Sequence, residues 1–384
     1  MINTFRHIAF ALALGAASAS AQTIDTAATT ALIVDYDTGA VLLERNADTP
    51  IPPASMSKLM TLNMLFEAVQ DGRVGLDTVF PVSENAHGFG GSTMFLETRH
   101  DPTVEDLIRG IVVLSGNDAC IVVAEHLAGS ETAFADRMTI RARELGMMDS
   151  TFANATGWPH PDHRMSGRDL VFIGRRMIDE FGEFYPYFAE QEFTWNDITQ
   201  PNRNPLLGAG IGGDGLKTGH TEEAGFGLVG SAEQDGRRIV FVISGLDSSS
   251  ARTTESERLT RWAFREFENV TFFDAGETVA QAEIWLGETD TVPLVAANSV
   301  MATLPRGQVD GAVARVSYDG PVEAPIAAGD HIADLIITTS EDVGDIVVPL
   351  VAGADVAEGG AMVRVMTSAR MMAGRALGSI FGSD

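Results

Sequence analysis

Ser55-Met56-Ser57-Lys58 sets a hydroxyl and an amine three residues apart. On a helix, residues at that spacing share a face, so Ser55 Oγ and Lys58 Nζ can meet. A free serine hydroxyl is hardly ionised at neutral pH, so as a nucleophile it needs a base in reach. Lysine serves only while its amine is neutral, which demands a depressed pKa. The pair alone is a weak signal, since both residue types are common and Lys58 by itself reads as a solvated helix lysine. Two more motifs sharpen it. Ser115-Gly116-Asn117 is expected at a helix–helix junction, and Lys217-Thr218-Gly219 just before a strand. The three in this chain order make a specific set, suited to acyl transfer through a serine.

The elements that must position these groups are legible around them. Runs at 31–34 and 41–44 flank Asp37-Thr38-Gly39, which reads as a hairpin. Pro52 and Pro53 precede a helical pattern from about 54 to 69, in which Met56, Leu59, Met60, Leu62, Leu65, Phe66 and Val69 recur at helical spacing. A second helix is expected over 104–113, and a third from Asp118 to the breaker Gly129. Runs at 225–232 and 238–245, joined through Gln234-Asp235-Gly236, predict a second hairpin, followed by helical periodicity over 253–267. Residues 271–358 change texture to Val, Ile, Thr and Gly with proline punctuation, the pattern of a small all-β domain. No repeat of fixed period is present.

Composition closes off several classes. The 384 residues include 26 Lys+Arg, 53 Asp+Glu and one Cys, with 45% hydrophobic residues and a net charge of -27. That length suggests two or three domains, and wholesale disorder is excluded. One cysteine allows neither an intramolecular disulfide nor a cysteine zinc cluster. The acidity opposes nucleic-acid binding and reads most simply as solubility. At the start, Arg6 and His7 precede an apolar run from Ile8 to Ala17 and then Ala19-Ser20-Ala21. This is a secretory signal over 1–21, too short in its apolar run to span a membrane stably. At the other end, residues 361–384 carry Arg364, Arg370 and Arg375 against Asp384. Wound as a helix, the tail puts Met362, Met366, Ala369, Ala373, Ala376, Leu377 and Ile380 on one face, with Arg364 and Arg375 opposite. That pattern fits a helix lying in a membrane interface; docking on the protein's own β domain is the plainer alternative.

Together the motifs resemble the serine penicillin-recognising enzymes, the penicillin-binding proteins and serine β-lactamases. Pro53-Ala54-Ser55, the segment 91–96, the segment 114–120, Asn202-Arg203-Asn204 and the segment 215–221 look like the low-molecular-mass D-alanyl-D-alanine carboxypeptidases. The likeness covers about 27–360. It implies an α+β fold with helices on an antiparallel sheet and a small all-β C-terminal domain. The expected layout is a signal at 1–21, a catalytic domain at 22–269, a β domain at 270–360 and an amphipathic anchor at 361–384. The implied reaction removes the terminal D-alanine of a peptidoglycan stem peptide, without cofactor or metal, and β-lactams would acylate the same serine. By that resemblance Ser55 is the nucleophile, Lys58 its base and Ser115 a proton relay, while Asn117 holds Lys58 and the substrate amide. Lys217, Thr218 and Gly219 face the terminal carboxylate, and the N–H groups of Ser55 and His220 form an oxyanion hole. Arg252 matches a carboxylate-facing arginine, although its surroundings depart from the family's usual G-R-E-A-E-S. Arg203 matches an arginine near the site; an ion pair with a carboxylate is the competing reading. The implied location is the periplasm, with the tail on the outer face of the inner membrane.

Other features are set aside. His160 and His163 look like a metal pair, but Pro161 breaks the helical spacing that such ligands use. Gly208-Ala209-Gly210-Ile211-Gly212-Gly213 has the dinucleotide glycine pattern in the wrong context, leading into a strand. Cys120 sits in an apolar helix as a small hydrophobe. Thr156 and Trp158 stand where relatives often carry His and Leu, in a loop that borders the family's site. The rival functions are a DD-endopeptidase and a β-lactamase using the same nucleophile. Against the latter, no Glu within 118–216 is followed at +3 and +4 by Leu-Asn.

Overall fold

The computed structural model describes residues 8–9, 24–307, 312–338 and 345–360. The segments expected to form a secretory signal and an amphipathic tail therefore lie outside the described residues, apart from two positions in the former. The chain divides between Arg265 and Glu266 into two compact units.

The first unit is built on one antiparallel sheet. Its strands are β1 (Thr30–Asp35) and β2 (Val41–Arg45), then, beyond the lone hairpin β3 (Glu192–Trp195) and β4 (Ile198–Pro201), β5 (Gly213–Thr221), β6 (Gly225–Gln234) and β7 (Arg237–Leu246). The five-stranded sheet runs β2-β1-β7-β6-β5, so β5 is an edge strand. Both expected hairpins are present, and β1 also pairs with β7 across the length of the chain, Ile33 opposite Phe241. Val240 and Val242 of β7 point into the core shared with the helices, while Ile239, Phe241 and Ile243, of opposite parity, are also fully buried. A sheet buried on both faces reads as an almost continuous apolar run, as β7 does.

The helices are α1 (Lys58–Gln70), α2 (Glu84–His87), α3 (Val104–Val112), α4 (Asn117–Ala128), α5 (Glu131–Glu144), α6 (Gly167–Asp179) and α7 (Ser249–Glu266). The expected helix over 54–69 begins as a 3₁₀ turn, Ala54–Ser57, and becomes α-helical only at Lys58. At α3, Thr103 and Asp106 form a reciprocal capping box that fixes its start. α4 ends at Gly129 in the left-handed conformation, where the sequence places the breaker. α7 starts a turn earlier than its periodicity suggests, because Ser248 Oγ accepts the Ala251 N–H at 3.0 Å and caps it. A serine run reads as loop until its cap geometry is known.

The second unit is all β over its described residues: β8 (Phe267–Phe273), β9 (Thr278–Trp285), β10 (Thr291–Ala296), β11 (Val300–Pro305), β12 (Val313–Ser317), β13 (Val322–Glu323), β14 (His331–Thr338) and β15 (Asp345–Ala352). Strands β12, β14, β15, β10, β9 and β13 neighbour one another in that order, while β8 pairs with β11. β10 alternates buried and partly exposed residues, and Leu294, Leu335, Ile337 and Leu350 form this unit's own core.

Candidate active site

Three stretches of the first unit converge on one cavity of about 400 Å³, lined by Ser55, Ser92, Ser115, Arg203, Thr218, Gly219, His220, Phe226, Ser249 and Arg252. The 3₁₀ turn brings Ser55 to its floor. The preceding Ala54 has φ 49°, a left-handed value that a residue bearing a Cβ rarely adopts. Ser115, at the entry to α4, has φ 59°. Such values at both hydroxyl-bearing turns persist because the surroundings over-determine them. The edge strand β5 supplies the far wall, and its outer side carries no neighbouring strand. Gly219 permits the approach: a Cβ there would stand 3.0 Å from Pro53 O and 3.0 Å from Met56 Cγ. Gly157 closes on the same turn from another side, where a Cβ would sit 2.0 Å from Ala54 O.

Lys58 is fully buried at the base of the site. Its Nζ lies 2.8 Å from Ser55 Oγ, 2.8 Å from Asn117 Oδ1 and 2.6 Å from the Thr156 carbonyl. Burial is the main force lowering its pKa to about 8, with the charge of Arg203 acting in the same direction. Asn117 Nδ2 donates to Gly90 O at 2.8 Å, so this side chain ties the amine to the 90–92 segment. The Asp118 carboxylate, also buried, accepts the N–H groups of Met94 and Leu96 at 3.0 Å each and holds the next stretch of that segment.

Lys217 is equally buried, but among the described residues its Nζ has one hydrogen-bond partner, the Thr218 carbonyl at 3.1 Å. Its pKa is pushed well below the ordinary lysine range, first by burial and then by the charges of Lys58 and Arg203. An anion entering the cavity would push that pKa back up. Arg252 is 94% buried on the start of α7; its Nε has no partner and its Nη2 makes only 3.4 Å contacts with Arg203 O and Ser249 Oγ. Arg203 donates to Ser92 Oγ at 2.5 Å. Among the described residues no carboxylate pairs with Arg203 or Arg252, so the ion-pair reading of Arg203 does not hold. The cavity thus has a hydroxyl–amine pair at one end and unneutralised cations at the other.

Of the residues expected at the site, Ser55, Ser115, Arg203, Thr218, Gly219, His220 and Arg252 line this cavity, Lys58 and Asn117 reach it through Ser55, and Lys217 is bonded to the lining residue Thr218. Thr218, Gly219 and His220 follow one another along the β5 wall, and the exposed His220 ring stacks on Phe226 with centroids 3.8 Å apart. That stacked pair also lines a neighbouring cavity of about 580 Å³ that holds Glu222, Glu223 and Asp247 but no hydroxyl–amine pair. Sequence reasoning did not find the Thr156 carbonyl, Ser92, Ser249 or the role of Asp118. A backbone oxygen leaves no trace in residue type; Asn154-Ala155-Thr156-Gly157 was the available hint, since an Asn ahead of a Gly favours a side-chain-capped turn. Of the features set aside, Cys120 is buried with its thiol pushed up to about 12, an inert form. His163 is buried with its pKa lowered to about 3, chiefly by burial, while His160 lies exposed near Asp162.

Comparison with known proteins decides the family. The sequence profile for D-alanyl-D-alanine carboxypeptidase matches residues 16–248, and that for the C-terminal domain of penicillin-binding protein 5 matches 267–358. The chain belongs to the D-alanyl-D-alanine carboxypeptidase family. It is 35% identical to D-alanyl-D-alanine carboxypeptidase DacC of Escherichia coli over 330 residues, which is 83% of this chain and 82% of the relative. The structure of penicillin binding protein 5 from Haemophilus influenzae superposes with a TM-score of 0.81 at 33% identity, covering 88% of this carboxypeptidase and all (100%) of that chain. Penicillin-binding protein D2 from Listeria monocytogenes in its ampicillin-bound form superposes with a TM-score of 0.58 at 28% identity, over 63% of this chain and 99% of that one. The α+β fold with a C-terminal β domain and the serine carboxypeptidase activity follow from this membership.

Proposed function

We propose that Ser55 carries the carboxypeptidase reaction, with Lys58 as its base. The observation that carries this reading is the 2.8 Å contact between Lys58 Nζ and Ser55 Oγ beneath a cavity whose far wall is cationic. The neutral Lys58 amine takes the Ser55 proton as Oγ adds to the carbonyl of the penultimate D-alanine. The developing oxyanion is received by the backbone N–H groups of Ser55 and His220, where one such donor is worth about 10²–10³ in rate. The C–N bond then breaks, and Ser115 passes the proton from Lys58 to the departing D-alanine nitrogen. Water attacks the acyl-enzyme with Lys58 again as base, releasing the shortened peptide and restoring the Ser55 hydroxyl. Lys217, Thr218, Gly219 and Arg252 receive the terminal carboxylate. A β-lactam mimics the D-Ala-D-Ala terminus and acylates the same oxygen.

The division of labour along the chain belongs to this proposal: a secretory signal at 1–21, a catalytic domain at 22–269, a β domain at 270–360 and an interfacial helix at 361–384. These put the enzyme in the periplasm, peripherally on the outer face of the inner membrane, beside its peptidoglycan substrate. Support for the tail is its sequence pattern of three arginines, with Arg364 and Arg375 opposite an apolar face. A chain ending at Gly360 is expected to keep peptidase activity and to lose binding to anionic liposomes; equal partition of the two forms would remove the anchor.

Intact-mass measurement after benzylpenicillin treatment tests the catalytic assignment. One long-lived penicilloyl adduct is expected, absent in Ser55→Ala; an adduct that survives the substitution overturns the choice of nucleophile. Mass spectrometry of digested muropeptides reads which bond is cut. Loss of terminal D-alanine supports a carboxypeptidase, whereas opened cross-links without it indicate an endopeptidase.

A further inference from the structure

Trp158 is a large aromatic residue that packs beside Gly91, next to the lining residue Ser92, and the reaction gives it no task. Its side chain is 48% exposed. Its position is nevertheless fixed. The Trp158 N–H donates to Asn154 Oδ1 and to Thr156 Oγ1, both at 3.1 Å, and the Trp158 carbonyl accepts from Asn154 Nδ2 at 3.0 Å. Phe89 meets the indole edge-on, with centroids 5.6 Å apart and planes at 82°.

The location relates this ring to the chemistry. A Cβ placed on Gly91 would lie 2.9 Å from Trp158 Cζ3 and 2.9 Å from Asn117 Nδ2, so the indole and the Asn117 amide converge on one backbone point. Two residues earlier, Thr156 gives its carbonyl to Lys58; one residue earlier, Gly157 presses on Ala54 O. Trp158 therefore lies on the Asn117 side of the site, where Asn117 also holds Lys58.

We propose that the Trp158 ring, braced by Phe89, is the specificity surface for the stem-peptide residue that precedes the terminal D-Ala-D-Ala. This rests on the carboxypeptidase reading, in which Asn117 holds the amide joining that residue to the acyl D-alanine. The side chain just beyond that amide falls on the indole. The occupant is a residue with a long methylene chain ending in an ammonium group. Its methylenes cover the open aromatic face, and the ammonium is attracted to the ring within about 6 Å of its centroid. A short side chain such as alanine reaches neither.

The test is D-alanine release from Nα-acetyl-Lys-D-Ala-D-Ala and Nα-acetyl-Ala-D-Ala-D-Ala, comparing the full-length enzyme with Trp158→Ala and Trp158→Phe. The native enzyme is expected to favour the lysyl peptide by about tenfold in kcat/KM. Trp158→Ala should bring that ratio close to one, and Trp158→Phe should retain part of it. A native ratio near one overturns the proposal without any variant. Equal losses on both peptides in Trp158→Ala also overturn it, since that pattern marks a structural role exerted through the 154–158 turn. Failure of the carboxypeptidase reading looks different: the native enzyme would release no D-alanine from either peptide.

Discussion

Lys58 and Lys217 are two lysines buried to the same degree in one domain, and they are held in opposite ways. Lys58, at the start of α1, meets three oxygens, two of which can only accept hydrogen bonds: Asn117 Oδ1 and the Thr156 carbonyl. A neutral amine has two N–H groups and one lone pair, so these acceptors consume both donors and turn the lone pair toward Ser55 Oγ. Lys217, on the edge strand β5, meets one carbonyl among the described residues and feels the charges of Lys58, Arg203 and Arg252. Burial lowers both pKa values, yet only the first site gives the free amine a direction. The second lacks a counter-charge and is suited to receiving one. Burial makes a lysine reactive; the arrangement of its acceptors decides whether it is a base or an anion receptor.

Lys58→Arg should break this contrast most severely. A guanidinium cannot deprotonate in the working range, so acylation by benzylpenicillin is expected to fall by roughly 10⁴ or more, in line with loss of a catalytic base elsewhere. Thermal unfolding checks that the variant folds. Rapid acylation of a folded Lys58→Arg protein would show that some other group is the base.

Lys217→Ala should cost about 10²-fold in kcat/KM on a D-Ala-D-Ala peptide, within the range of a lost electrostatic contact. The sharper readout is a matched peptide with an amidated C-terminus. The native enzyme should discriminate strongly against the amide, and the variant only weakly. Unchanged discrimination would move carboxylate recognition elsewhere.

The pH profile sharpens the role of Lys58. The active form is the neutral amine, so the acylation rate should climb about tenfold per pH unit below the Lys58 pKa of about 8 and level off above it. Arg203 helps to lower that pKa, so Arg203→Gln should shift the ascending limb toward higher pH. A limb that stays in place after the substitution would leave burial alone as the cause.

The smallest effect is expected at Gly219. Gly219→Ala adds a Cβ 3.0 Å from Pro53 O and should push β5 off the nucleophile turn, lowering acylation about tenfold with little loss of Tm. Wild-type rates would mean that the close approach is not needed for catalysis.

The sequence by itself determined the three motifs, the two hairpins and four of the seven described α-helices, because each rests on short-range physics: side-chain periodicity, turn chemistry and capping; α2, α5 and α6 were not read from it. It also carried the family, since the spacing of Ser55, Ser115 and Lys217 survives as residue identity. What depends on distance along the chain was decided by the tertiary structure. The pairing of β1 with β7 brings residues two hundred positions apart into register, and no local pattern encodes which strands neighbour. Packing buries Lys217 near Lys58 and Arg203 and lowers its pKa as well, which its place in the sequence does not show. The Thr156 carbonyl and the close approach of Gly219 to Pro53 involve backbone atoms that every residue type possesses. Those contacts exist only once packing has brought distant segments together, so the direction of the Lys58 lone pair is a property of the fold.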